Sequence, residues 1–170
     1  MRLFVAVWPP AEVVAALHEL PRPAGDGGGV RWTTPDQWHV TLRFLGSVDD
    51  DDVGEVRDAL SSISMPSARV DLGPATKRLG KDVLMLPVHG LDDLAHEVVR
   101  VTEDIVPAEE RHFTGHLTVA RARSRGALSR SLEGVALSAS WTATSFSLVR
   151  SQTKPTGAVY TDVEQYPLSS

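Results

Sequence analysis

The sequence predicts an α+β fold. Two observations carry this. Strand-like and helix-like patterns alternate without the regular rhythm of a doubly wound sheet, and one stretch of the pattern is echoed later in the chain. A strand at 3–8, a helix at 11–20 and a strand at 39–45 return in order as a strand at 83–88, a helix at 91–106 and a strand at 116–121, offset by 77 to 80 residues. Two similar lobes packed face to face, each presenting a sheet, produce such an offset. The 170 residues leave room for one domain, so both lobes belong to a single bilobal unit over residues 1–170.

Each element follows from local pattern. Leu3 to Trp8 is a short apolar run closed by Pro9 and Pro10, which suits a buried strand. Pro10 opens a helix with Val13, Val14, Leu17 and Leu20 at helical spacing, and Pro21 stops it. Residues 21–29 hold four Gly and two Pro and form a flexible loop, with no glycine pattern that would cradle a phosphate. A strand at Trp38–Leu45 ends at Gly46, and Ser47–Asp52 begin a helix that reaches about Ile63. The run Asp49–Asp52 suits the positive end of that helix; holding a divalent cation is the other use of such a run. Strands follow at Ala68–Thr76 and Val83–Val88. The next helix, Leu91–Val106, carries Leu94, Val98, Val101 and Ile105 on one face and ends before Pro107. A strand at Leu117–Arg121, a short helix near Leu128–Leu132 and strands near Thr142–Val149 and Ala158–Gln165 complete the chain.

Composition narrows the function. Apolar residues at 42% and charged residues at 23% describe a packed soluble chain. The absence of cysteine excludes disulfides, thiolate metal sites and thiol nucleophiles, and makes the cytoplasm the expected compartment. The opening apolar run is too short for a signal peptide, and no run approaches the length of a membrane span. A net charge of −5 argues against a duplex-DNA binder. The charge is unevenly placed: residues 92–110 hold seven acids and one Arg, whereas 111–130 hold five Arg (111, 121, 123, 125 and 130) and no acid. Such a patch suits a small anion, or is simply a solvated loop.

The two later strands of the echo begin alike, with His39-Val40-Thr41-Leu42 and His116-Leu117-Thr118-Val119. In a strand, His and Thr then share one face while the apolar residues enter the core. By composition, His-x-Thr is expected about 0.4 times in this chain, and far less often with apolar residues at both variable positions. Two copies at matching places of a repeat are therefore not accidental. Two imidazoles titrate near neutral pH, so one can take a proton while the other gives one. Threonine hydroxyls and a nearby Arg can hold phosphate oxygens. The pattern is that of acid–base displacement at phosphorus, with no metal or other cofactor called for. By strand alternation Arg43 shares the face of His39 and Thr41 and is a candidate phosphate or ribose contact. Arg121 falls on the opposite parity and needs a bulge or a strand end to reach the cleft. Phe44 is read as core, or as a stacking surface for a base if it lies at the strand's end. His18, His89 and His96 are read as surface residues. His112 is four residues before His116, a zinc-like spacing only if helical, and Gly115 argues strand.

With these residues in view, the chain resembles the two-histidine (2H) phosphoesterase superfamily, and within it the RNA 2′,3′-cyclic phosphodiesterases, historically called 2′-5′ RNA ligases. The matching residues are the opening Met1–Ala6, Arg31-Trp32, then His39-Val40-Thr41-Leu42-Arg43-Phe44-Leu45-Gly46 and His116–Arg121. The tail matches at Leu148–Ser151, at Tyr160 and at Tyr166-Pro167-Leu168. The resemblance implies two lobes with antiparallel sheets around a cleft, helices outside, and one motif on each wall. It implies hydrolysis of a 2′,3′-cyclic phosphate on an RNA end or nucleotide to a 2′-phosphomonoester. Reversible 2′-5′ ligation and 2′,5′-phosphodiester cleavage are alternatives, and a non-catalytic RNA-end-binding module is a third. It makes His39 and His116 the acid–base pair, assigned as proton donor and proton acceptor, and Thr41 and Thr118 the phosphate binders. A monomer is expected. One departure is Thr114-Gly115 before the second motif, where the family often has Arg-Pro; Gly115 is expected to loosen that strand entry or admit substrate.

Overall fold

The opening apolar run becomes a strand covered on both faces. In the computed structural model, which describes residues 1–23 and 28–170, β1 spans Arg2–Val7. Leu3, Val5 and Val7 join the main core, while Phe4 and Ala6 point the other way and pack with Val149, Trp8 and Tyr160. Burial on both sides explains why the run does not alternate. Of the loop expected at 21–29, residues 24–27 lie outside the described residues.

Three helices cover the core side: α1 (Ala11–His18), α2 (Val53–Ser61) and α3 (Asp92–Thr102). Each buries one stripe, Val13 and Leu17 in α1, Val56 and Leu60 in α2, Leu94 and Val98 in α3. Asp52 stands at the N-cap of α2, and Asp49–Asp51 form the turn before it. Among the described residues no helix is long and apolar enough to cross a membrane.

The remaining strands are β2 (Val30–Trp32), β3 (Val40–Ser47), β4 (Ala68–Leu72), β5 (Lys77–Leu79), β6 (Val83–His89), β7 (His116–Ala122), β8 (Ala139–Ala143), β9 (Ser145–Lys154) and β10 (Gly157–Pro167). Every pairing between these strands is antiparallel, in the order β10-β9-β1-β3-β7-β6-β4-β8, with β2 on β7 and β5 on β6. The α+β expectation holds, and the echo is real in space. β1, α1 and β3 correspond to β6, α3 and β7; β1 pairs with β3 as β6 pairs with β7. The lobes meet where Val40 of β3 pairs with Leu117 of β7. These are equivalent positions of the repeat, so an approximate two-fold axis passes between them.

Several boundaries differ from the expected ones. β2 and β5 are three residues each, too short to show a period. The strand expected at 68–76 stops at Leu72 because Gly73 turns the chain with φ of +104°. The strand expected at 142–149 is two strands broken at Thr144, where the chain leaves one lobe (β8 on β4) for the other (β9 on β1). The helix expected to 106 ends at Thr102, and the one near 128–132 is a 3₁₀ turn at Arg130–Leu132.

Candidate active site

On the face of the sheet away from the helices lies a cleft of about 1090 Å³, lined by His39, Thr41, His116, Thr118, Phe44 and Arg121 among others. No residue of α1, α2 or α3 lines it. The Val40–Leu117 pair places the motifs around its centre: His39 lies across from Thr118, and Thr41 across from His116. The histidines occupy one diagonal of this square and the threonines the other, with diagonal positions roughly 7–8 Å apart.

Both imidazoles are fixed in the same way. His39 Nδ1 donates to the Gln37 carbonyl at 2.7 Å and His116 Nδ1 donates to the Thr114 carbonyl at 2.8 Å. A carbonyl only accepts, so each Nδ1 carries hydrogen and each Nε2 is the nitrogen left for chemistry. His39 Nε2 accepts from the Thr41 hydroxyl at 3.1 Å. Gln37 is itself anchored, its Nε2 donating to the Ala158 carbonyl of β10 at 2.8 Å.

The surroundings differ. Phe4, Trp8 and Tyr160 ring His39, with centroids 4.9, 5.5 and 5.1 Å away. Trp8 is held by its indole N–H to Asp162 at 3.0 Å. Burial pushes His39 down to about 4; the Gln37 carbonyl opposes that fall, while the proximity of His116 and Arg121 adds to it.

Strand alternation fails at the same point in both motifs, and this decides which neighbours reach the cleft. Against β1, Ala6 pairs with Thr41 but Val5 with Arg43, so Leu42 is an extra residue. Against β6, Met85 pairs with Thr118 but Leu84 with Ala120, so Val119 is an extra residue. Each bulge inverts the parity beyond the threonine. Arg43 is therefore not a cleft contact, as alternation had suggested. It is 7% exposed on the far face, where its guanidinium bonds the Thr102 hydroxyl and the Val106 carbonyl at the end of α3. Phe44, read mainly as core, is instead 70% exposed in the cleft. Arg121 reaches the cleft by the bulge its parity required. Thr33 stitches the second bulge: its hydroxyl lies 2.9 and 3.0 Å from the carbonyls of Thr118 and Val119, and the buried Trp38 indole donates to it at 2.9 Å.

Gly115 does not loosen the strand entry. A Cβ there would fall 2.3 Å from the Val88 carbonyl oxygen, and Val88 N donates to the Gly115 carbonyl at 2.9 Å, so glycine lets β7 close tightly on β6. His112 lies in the loop before β7, not on a helix, and His18, His89 and His96 are exposed. Among the described residues no three His, Asp or Glu side chains group as a metal site would need. Of the five clustered arginines, Arg111, Arg121 and Arg123 line the cleft; Arg125 and Arg130 do not. Arg2, Arg31 and Lys154 line it as well. Composition does not single these out, although the resemblance at Met1–Ala6 and Arg31-Trp32 includes Arg2 and Arg31.

A curled antiparallel sheet with its helices on one face is the fold of the LigT-type phosphoesterases, and the family model described as LigT like Phosphoesterase matches residues 7–76. Over 99% of its length the chain is 31% identical to the RNA 2′,3′-cyclic phosphodiesterase of Thermus thermophilus, covering 90% of that protein. It therefore belongs to the RNA 2′,3′-cyclic phosphodiesterase family. A crystal structure of a Thermus thermophilus protein superposes with a TM-score of 0.85 at 28% identity, over 98% of this chain and 97% of that one. E. coli LigT shares the fold at a TM-score of 0.81 and 24% identity, over 99% and 98%.

Proposed function

We propose that the cleft hydrolyses 2′,3′-cyclic phosphates at RNA ends to 2′-phosphomonoesters, without a metal, by proton transfer between two histidines. The observation that carries this is the diagonal pair of imidazoles, each with Nδ1 locked on a carbonyl and Nε2 on the cleft side, where that of His39 meets only the Thr41 hydroxyl, on either side of a site large enough for a nucleotide. The name of the Thermus thermophilus relative supports the substrate. Water attacks phosphorus opposite O3′ and loses its proton to His116 Nε2. The P–O3′ bond breaks as His39 Nε2–H protonates O3′. The phosphate stays on O2′, and the pair exchanges its protons with solvent. Thr41, Thr118 and Arg121 donate to the non-bridging oxygens, where charge builds in the transition state. Phe44 offers its exposed ring to a base.

One observation favours the opposite division of roles. Burial favours the neutral form of His39, which suits a base. Both divisions require the pair to share one proton, so a pH profile cannot separate them.

The test is digestion of adenosine 2′,3′-cyclic phosphate in excess EDTA, with nucleoside 2′- and 3′-monophosphates resolved by chromatography. The 2′-phosphate is expected. The 3′-phosphate means the ribose binds the other way round, and no turnover leaves the non-catalytic end-binding module.

A further inference from the structure

Two arginines stand side by side, and among the described residues no acid pairs with either. In the β2–β7 pairing Arg31 lies directly across from Arg121, so both side chains share a face, and both line the cleft. Like charges directly opposite each other destabilise a sheet unless something negative joins them. The pairing continues as Arg123 N donates to the Gly29 carbonyl at 2.7 Å. Arg123, two residues on from Arg121, lines the cleft too. Among the described residues Arg31, Arg121, Arg123 and Lys154 pair with no carboxylate, whereas Arg57, Arg69, Arg78, Arg100 and Arg111 each do. The shortage is local, since acids outnumber bases 22 to 17 over the chain. The single acid on the described cleft wall, Glu109, is already paired with Arg111 at 3.1 Å.

Arg31 is also held in place. A Cβ on Gly157 would lie 1.7 Å from its guanidinium, and one N–H points to the Thr156 carbonyl at 3.5 Å. The turn between β9 and β10 thus seats the guanidinium while using one of its five donors, and Lys154, the last residue of β9 before that turn, lines the cleft too. Alternate positions along a strand advance about 6–7 Å. Thr118, Arg121 past the bulge and Arg123 therefore form a row of regularly spaced anion-binding groups leading away from the histidines. Their aromatic counterpart, Phe44, is on the other motif strand.

We propose that Arg31, Arg123 and Lys154 form a second phosphate subsite, which takes the phosphodiester immediately 5′ of the terminal cyclic phosphate. The preferred substrate is then an RNA strand rather than a free cyclic nucleotide. This rests on the hydrolytic reading above and adds which substrate class the cleft selects.

The experiment compares kcat/KM for adenosine 2′,3′-cyclic phosphate with that for a tetranucleotide ending in the same group. At low salt the tetranucleotide is preferred about tenfold or more, and the preference shrinks as salt rises. Arg31→Gln and Arg123→Gln each remove most of that preference and leave the mononucleotide within about twofold of wild type, which also reports an intact fold. Equal rates on both substrates in the wild type, or equal losses on both in the variants, overturn the subsite. Fluorescence anisotropy with a labelled tetranucleotide ending in a 2′-phosphate reads binding without turnover. Arg123→Gln, at an exposed position, weakens it about tenfold; unchanged binding overturns the subsite even if the wild type hydrolyses neither substrate, a result that by itself removes only the hydrolytic reading.

Discussion

The two motif strands share a backbone and differ in what surrounds it. From His39 to Phe44 and from His116 to Arg121 the order of partly exposed, buried and exposed residues is the same, the bulge follows the threonine in both, and each Nδ1 is tied to the carbonyl two residues earlier. Yet the first imidazole sits among Phe4, Trp8 and Tyr160, and beyond the bulge the first strand presents a phenyl ring where the second presents a guanidinium. Under the proposed mechanism, repetition supplies the geometry for in-line displacement, and the divergent surroundings are what distinguish two otherwise like side chains.

The sharpest way to break this comparison is to remove each histidine. His39→Ala and His116→Ala should each lower kcat by about 10² to 10⁴ with the fold intact. A substrate whose 3′ bridging oxygen is replaced by sulfur leaves without help from an acid. It should restore most of the rate to His39→Ala and none to His116→Ala; rescue of His116→Ala instead would reverse the roles.

The ring around His39 has a thermodynamic signature. Its folded-state value of about 4 lies below the ordinary 6.5, so between those values the unfolded chain binds a proton that the folded chain refuses. This contribution is complete above the unfolded value and is lost as pH falls through the folded one, by roughly 3 kcal/mol. Urea midpoints should therefore fall more steeply between pH 7 and 4 for the wild type than for His39→Gln. Parallel curves would show that His39 is not the group responsible. In an NMR titration, Tyr160→Ala, which admits water to the ring, should move the His39 midpoint upward.

The residues beyond the bulges give smaller effects. Arg121→Ala removes charged hydrogen bonds and should cost about 1.5–3 kcal/mol in kcat/KM. Phe44→Ala should act mainly on KM, by about 1–3 kcal/mol if a base stacks there, with little change in kcat. Equal effects of both on kcat would mean that the two strands do not divide phosphate and base between them.

The His-x-Thr pairs were legible because the strand period holds from histidine to threonine. Arg43 was not, because a bulge leaves no compositional mark: Leu42 and Val119 look like any core residue, and the extra residue shows only in the register with β1 and β6. The same blind spot hid the exposure of Phe44. The Phe4–Trp8–Tyr160 ring joins residues more than 150 positions apart, a proximity that no local pattern encodes. At Thr144 the chain moves between lobes with no glycine or proline to announce it.

That crossing at Thr144 governs the order in which the cleft can be completed during synthesis. β4 to β8 come from one continuous stretch, residues 68–143, so the lobe that carries His116 has all its strands once that stretch has emerged. β1 must instead wait with an open edge for β9, and His39 gains Tyr160 only when β10 closes on β9. A chain released before β9 would hold both histidines and both threonines but have no finished environment for the first. β9 and β10, made after both motif strands, are thus the ones that give two similar half-sites unlike surroundings.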